Sequence, residues 1–219
     1  DPSRLPDGRT LADAIAARPQ QALGSDVAGR HGDRLPFLTK LLAAAEPLSL
    51  QVHPGPADAA AGFRREEAAR LPRGSATRSY TDDSHKPELL FALTRFEGMA
   101  GFRAVEGSAH LLGLLDLPWA DEMAARLVSG SPEAGLRAVV TDILTTADPL
   151  LGARLADLGA AVAAAEARLS QPPARRRPPV REPGDLAREP LRVFARTREL
   201  LARYPHDPSV LVTLLLNHV

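Results

Sequence analysis

Near residue 104 the spacing of apolar residues changes, and that change narrows the folds open to this chain more than any other feature of it. Before that point the apolar runs are short and punctuated by proline and glycine. Residues 35–42, 47–54, 88–94 and 97–103 read as strands, with short helices expected from Thr10 to the stop at Pro19 and from Ala59 to Arg70. Such a series of short strands with few crossover helices favours a β-barrel or sandwich over a parallel α/β sheet. Beyond it the period is helical. Leu151, Leu155, Leu158, Val162 and Leu169 share one face of a helix, and Leu191, Phe194 and Leu201 share a face of another. Residues 171–179 interrupt this half with prolines and three arginines, which predict a solvated loop. The expected organisation is residues 1–104 as a mainly β part, 105–204 as a helical module and 205–219 as a return toward the strands.

Charge and composition exclude several partners. The 219 residues carry 27 basic and 27 acidic side chains, so no net field recruits nucleic acid or an anionic membrane. No apolar run is long enough for a membrane-spanning helix, and the opening Asp1-Pro2-Ser3-Arg4 does not resemble a signal peptide. A cytoplasmic monomer is expected. The chain has no cysteine, so any metal must be held through nitrogen and oxygen. It has only two lysines, Lys40 and Lys86, against a background of arginine. An ammonium can give up its proton where a guanidinium cannot, so two lysines that escape this bias are candidates for chemistry.

Lys86 lies in, and Lys40 just upstream of, the segments that hold candidate metal ligands. In residues 48–53 the alternation is strict, with Leu48, Leu50 and Val52 on one face of an extended chain and Ser49, Gln51 and His53 on the other. Such a polar face is ordinarily just wet. A second segment argues for more: Ser84-His85-Lys86-Pro87-Glu88 brings an imidazole, an ammonium and a carboxylate to the entrance of the apolar run 89–93.

Four segments, residues 37–42, 47–54, 85–88 and Gly101-Phe102-Arg103, are similar in order and spacing to the signature segments of type I mannose-6-phosphate isomerases. The similarity is specific from about residue 35 to 104. Asp7-Gly8-Arg9-Thr10-Leu11 fits more loosely, and the helical half resembles that family's inserted helical domain in placement only. The resemblance implies a mainly β cupin jelly-roll barrel with a helical insertion. It implies one zinc ion, with Gln51, His53 and Glu88 carried over as ligands and a fourth, a histidine, in a motif downstream of Val219. His31, His110, His206 and His218 fall outside the matching segments and read as surface or capping residues.

The reaction implied interconverts mannose 6-phosphate and fructose 6-phosphate through a cis-enediol. It needs a proton carrier, a positive centre for the enediolate oxygens and an anchor for the phosphate. Lys86, two residues from Glu88 and so on the same face of an extended chain, is the first candidate for proton transfer or oxyanion stabilisation; His85 ranks second. Ser49 and Lys40 are candidates for phosphate and sugar contacts. The competing readings are a metal-dependent cupin oxygenase and a non-catalytic sugar-phosphate-binding cupin. The apolar stretch 210–219 reads as an element awaiting a partner, so the chain is expected to be a fragment, inactive alone and a poor holder of zinc.

Overall fold

The computed structural model describes residues 3–171 and 189–219. Of the expected loop at 171–179, residues 172–179 lie outside them. The chain divides into two compact units, Asp1–Gln51 and Val52–Val219.

In the first unit, three short helices follow one another: α1 (Leu11–Ala17), α2 (Pro19–Leu23) and α3 (Ser25–His31). The start of α1 is written locally. The hydroxyl oxygen of Thr10 accepts from the amide of Asp13 at 3.0 Å, and the Asp13 carboxylate accepts from the Thr10 amide at 3.3 Å. This reciprocal box satisfies two of the donors that a helix start leaves open. Pro19 ends the expected helix and opens the next one, because its fixed φ and missing N–H suit a first turn.

The second unit opens with α4 (Pro56–Ala68) and, after a long irregular stretch, gathers around helices. These are α5 (Val105–Gly113), α6 (Pro118–Leu127), α7 (Pro132–Thr145), α8 (Asp148–Ser170), α9 (Glu189–Arg203) and α10 (Ser209–Val212). Their core faces follow the 3.6-residue period. In α8 the buried residues are Leu151, Leu155, Leu158, Ala161, Val162 and Ala165; in α9 they are Val193, Phe194, Thr197 and Leu200. Leu169, expected on the α8 stripe, is 38% exposed, one turn beyond the last buried position. Thr197 avoids a buried unpaired hydroxyl by donating to the Val193 carbonyl at 2.9 Å. Each large apolar side chain fully buried here contributes roughly 1.5–3 kcal/mol relative to exposure.

The sequence 210–219 is no unpartnered tail. Val210, Leu211, Val212, Leu214 and Leu215 are all buried, because α10 and the 3₁₀ turn Thr213–Leu215 pack against α5, α7 and α9. The chain then forms β2 (Leu216–His218), antiparallel to β1 (Met99–Phe102). Met99 faces His218 and Phe102 faces Leu216, so β1 carries one residue more than β2 between the paired positions. Gly101 absorbs that bulge with φ of 67°, a value L side chains resist. Asn217 closes it by donating to the carbonyls of Phe102 at 3.1 Å and Ala100 at 3.4 Å.

The expectation of a mainly β cupin or jelly-roll barrel is wrong for this structure. Its described residues are predominantly helical, and their regular sheet is the two-stranded pair just given, with no closed barrel. Of the four expected strands only 97–103 contains one. Residues 35–42, 47–54 and 88–94 have the composition and alternation of strands but none of the assignment. The physical reason is that a strand, unlike a helix, cannot satisfy its own backbone; it exists only where a neighbour completes the ladder. Without one, Leu41, Val52 and Leu89 stand 89, 94 and 97% exposed. No helix among the described residues is long and apolar enough to cross a membrane.

The α6–α7 contact supplies a test of how close the helices pack. A Cβ on Gly135 would be driven into the backbone carbonyl of Leu127, whereas one on Gly152 in α8 meets nothing within 4 Å. Gly135→Ala should destabilise the protein by about 1–3 kcal/mol. Gly152→Ala should instead stabilise it by about 0.5–1 kcal/mol. Urea unfolding of both variants checks the pair, and a neutral Gly135→Ala would mean that α6 and α7 are further apart than described.

Candidate metal centre

His53 and Glu88 meet. The imidazole Nε2 of His53 lies 3.4 Å from the Glu88 carboxylate Oε2, with the two side chains 30 and 67% exposed. Both belong to the second unit, and neither segment carries helix or strand. A histidine nitrogen and a carboxylate oxygen at this separation are donors of the kind zinc takes, and both still face solvent, through which an ion would arrive. The same contact is an ion pair whenever the imidazole is protonated. Among the described residues no group of three histidine, aspartate or glutamate side chains is gathered tightly enough to hold a metal by itself.

The other candidate ligand, proton-transfer and substrate-binding residues are all exposed. Gln51, Ser49 and Lys40 lie in the first unit, on chain without helix or strand, while His85 and Lys86 lie in the second, immediately before Glu88. His31, His110 and His206 are exposed as well. His218 is used structurally: its Nε2 lies 3.1 Å from the carbonyl of Thr213, the contact of an Nε2–H tautomer capping the 3₁₀ turn. Burial above all, with Arg103, Arg192 and Arg196 nearby, pushes its pKa below the ordinary imidazole value, so the neutral ring is the one that fits.

Between His53 and Glu88 the chain makes an excursion that the sequence reading missed. It runs up α4 and folds back along it through residues 71–80. Arg78 fastens the return. Its side chain is 1% exposed, and it donates from Nε to the Tyr80 carbonyl at 2.7 Å, from Nη1 to the Leu71 carbonyl at 2.6 Å and from Nη2 to Glu67 Oε1 at 2.6 Å. Beside it the buried Glu66 accepts the amides of Ser79 at 3.0 Å and Tyr80 at 2.8 Å. The guanidinium also lies over the ring of Phe63, 5.3 Å from its centroid. The ring of Tyr80 occupies the space that a side chain at position 62 would need, which only Gly62 leaves free. No periodicity marks such a clasp in a sequence. The doublet Glu66-Glu67 with an arginine downstream was the only signal, and it is indistinguishable from a solvated charge pattern.

The clasp has an acid limit. The Ser79 amide above all, with the Tyr80 amide and the charge of Arg78, holds the Glu66 carboxyl below its ordinary pKa against the opposing effect of burial. The Arg78 hydrogen bond does the same for Glu67. A carboxylate with a depressed folded pKa contributes stability that is complete above the unfolded value, about 4.3, and is lost as the pH falls below it. Glu66→Gln should therefore lower stability at neutral pH and flatten its decline below about pH 4.3. Denaturation curves from pH 7 to 3 check this; an unchanged slope would show that Glu66 is not held as a carboxylate.

Comparison with known proteins bears on what the pair is for. The family model described as phosphomannose isomerase type I, catalytic domain, matches residues 1–105. Mannose-6-phosphate isomerase of Salmonella typhimurium is 48% identical over 103 residues, which are 47% of this chain and 26% of that protein. The human enzyme of the same name is 41% identical over 98 residues, 45% of this chain and 21% of that protein. Among solved structures, a crystal structure of mannose 6-phosphate isomerase from Salmonella typhimurium bound to substrate (F6P) and a zinc atom superposes with a TM-score of 0.78 at 33% identity. That match covers 100% of this chain and 49% of the other, so the chain spans about half the length of the solved structure, and its aligned part about a quarter of the curated bacterial relative.

Proposed function

We propose, on the premise that residues 1–105 belong to the type I phosphomannose isomerase catalytic domain family, that the chain carries ligand segments of a zinc-dependent isomerase interconverting mannose 6-phosphate and fructose 6-phosphate. The observation that carries the reading is the meeting of His53 and Glu88, two ligand-type side chains on separate signature segments, at 3.4 Å. The zinc and the F6P seen in the Salmonella structure support the cofactor and the substrate class. Gln51, His53 and Glu88 would hold the metal, which when bound would supply a Lewis acid next to the sugar oxygens.

The chain's own residues then have separate tasks. Lys86 Nζ moves a proton between C2 and C1 of the sugar, or stabilises the oxygen charge that develops as it moves; His85 is the second candidate for the proton. Ser49 and Lys40 hold the phosphate and sugar hydroxyls, a role in which a compact ammonium acts as a point charge. The division into a catalytic part at 1–104, a helical insertion at 105–204 and a return at 205–219 belongs to the same proposal, as does action on a small sugar phosphate by a cytoplasmic monomer.

The test is made on the protein with isomerase activity. His53→Ala and Glu88→Gln should each lose tightly bound zinc, and a chelator should abolish turnover that added Zn²⁺ restores. Lys86→Arg keeps the charge but removes the transferable proton, so turnover should fall by about 10²-fold or more with zinc content unchanged. Near-normal turnover of Lys86→Arg would reduce the lysine to an electrostatic role and move the proton step to His85.

A further inference from the structure

We infer that Arg78 is a positioning residue for the metal-ligand pair, an inference that rests on the reading of His53 and Glu88 as ligands. The two ligands stand at opposite ends of one excursion of the chain. His53 lies just before the first turn of α4, and Glu88 follows the return strap that ends at Tyr80. The segments bearing the ligands have no helix and no sheet ladder to hold them, so their separation is set by whatever fixes the two ends of the excursion against each other. One end is rigid because α4 is a helix. The other has no regular structure and is fixed by the clasp.

Arg78 is the part of the clasp that no other residue could replace. Its guanidinium reaches three acceptors that diverge in direction, the carbonyls of Leu71 and Tyr80 and the carboxylate of Glu67, from a side chain that is 1% exposed. Those acceptors lie at the end of α4, at the start of the strap and at its exit toward Glu88. A planar fork with donors on all three nitrogens spans them at once; an ammonium on a single nitrogen cannot. Glu66 adds the amides of Ser79 and Tyr80 to the same fastening, so the strap leaves α4 in one defined direction.

Zinc affinity is therefore the measured quantity, determined on the folded, metal-stripped protein by competition of Zn²⁺ against a chromophoric chelator. Arg78→Lys should weaken zinc binding by about 10-fold or more, the range seen when groups that orient ligands are altered. Glu67→Gln, which keeps an acceptor but removes its charge, should give a smaller loss in the same direction and serves where Arg78→Lys does not fold. Met123→Ala empties space in the helical core away from the clasp, so it should lower the unfolding midpoint and leave zinc affinity as in the wild type. Wild-type affinity in Arg78→Lys beside a large loss in His53→Ala would overturn the positioning role and leave the ligand assignment standing. Wild-type affinity in His53→Ala would remove the ligand assignment itself. Equal losses in Arg78→Lys and Met123→Ala would mean that general stability sets the affinity, which also overturns the inference.

Discussion

The second unit depends on a guanidinium buried where its irregular stretch meets its helices. Arg103 donates from Nη1 to the Leu214 carbonyl at 3.1 Å and from Nε to Glu189 at 3.1 Å, while its own amide donates to the Leu215 carbonyl at 2.8 Å. Its Nη2 lies 2.9 Å from the same Glu189 carboxylate, although not in line for a further hydrogen bond. A charge taken from water at this depth is tolerated only when paired and bonded, and removing one partner of such a pair costs about 3–5 kcal/mol. Through this one residue the end of β1 is tied both to the start of α9 and to the turn that precedes β2.

Much else follows from that tie. Gly107 in α5 leaves room for the Arg103 side chain, since a Cβ there would come within 2.9 Å of the Arg103 Cδ. The bulge at Gly101 and the Asn217 amide set the register of the strand pair that delivers Arg103 to its pocket. The signature Gly101-Phe102-Arg103 therefore has a conformational, a strand-pairing and an anchoring residue in that order. None of them needs to touch substrate for the motif to matter.

The second clasp, at Arg78, uses the same chemistry on a smaller scale. In both places an arginine reaches backbone carbonyls and a glutamate, and in both it fastens irregular chain to a helix. This gives a physical sense to the composition. A chain whose basic residues are almost all arginine has at its disposal a planar, permanently charged donor suited to binding several carbonyls at once. The two lysines are left exposed, beside or within the segments that carry the candidate ligands.

What the sequence determined by itself was local. The cap at Thr10, the stop at Pro19 and most of the buried face of α8 depend on residues within a few positions of each other, so pattern alone reveals them, whereas of the stripe expected in α9 only Phe194 is buried. The segments bearing His53 and Glu88 could be recognised because ligand types in a fixed order are themselves a sequence pattern. Tertiary structure alone decided the rest. Strand-like alternation at 35–42, 47–54 and 88–94 predicted strands, but a strand requires a ladder partner and these segments have none among the described residues, so composition could not make them one. Residues 210–215 read as a greasy tail because their covering helices lie far away in sequence. Burial of Arg78 and Arg103 is settled by which carbonyls and carboxylates the fold brings around them, and no spacing along the chain records that.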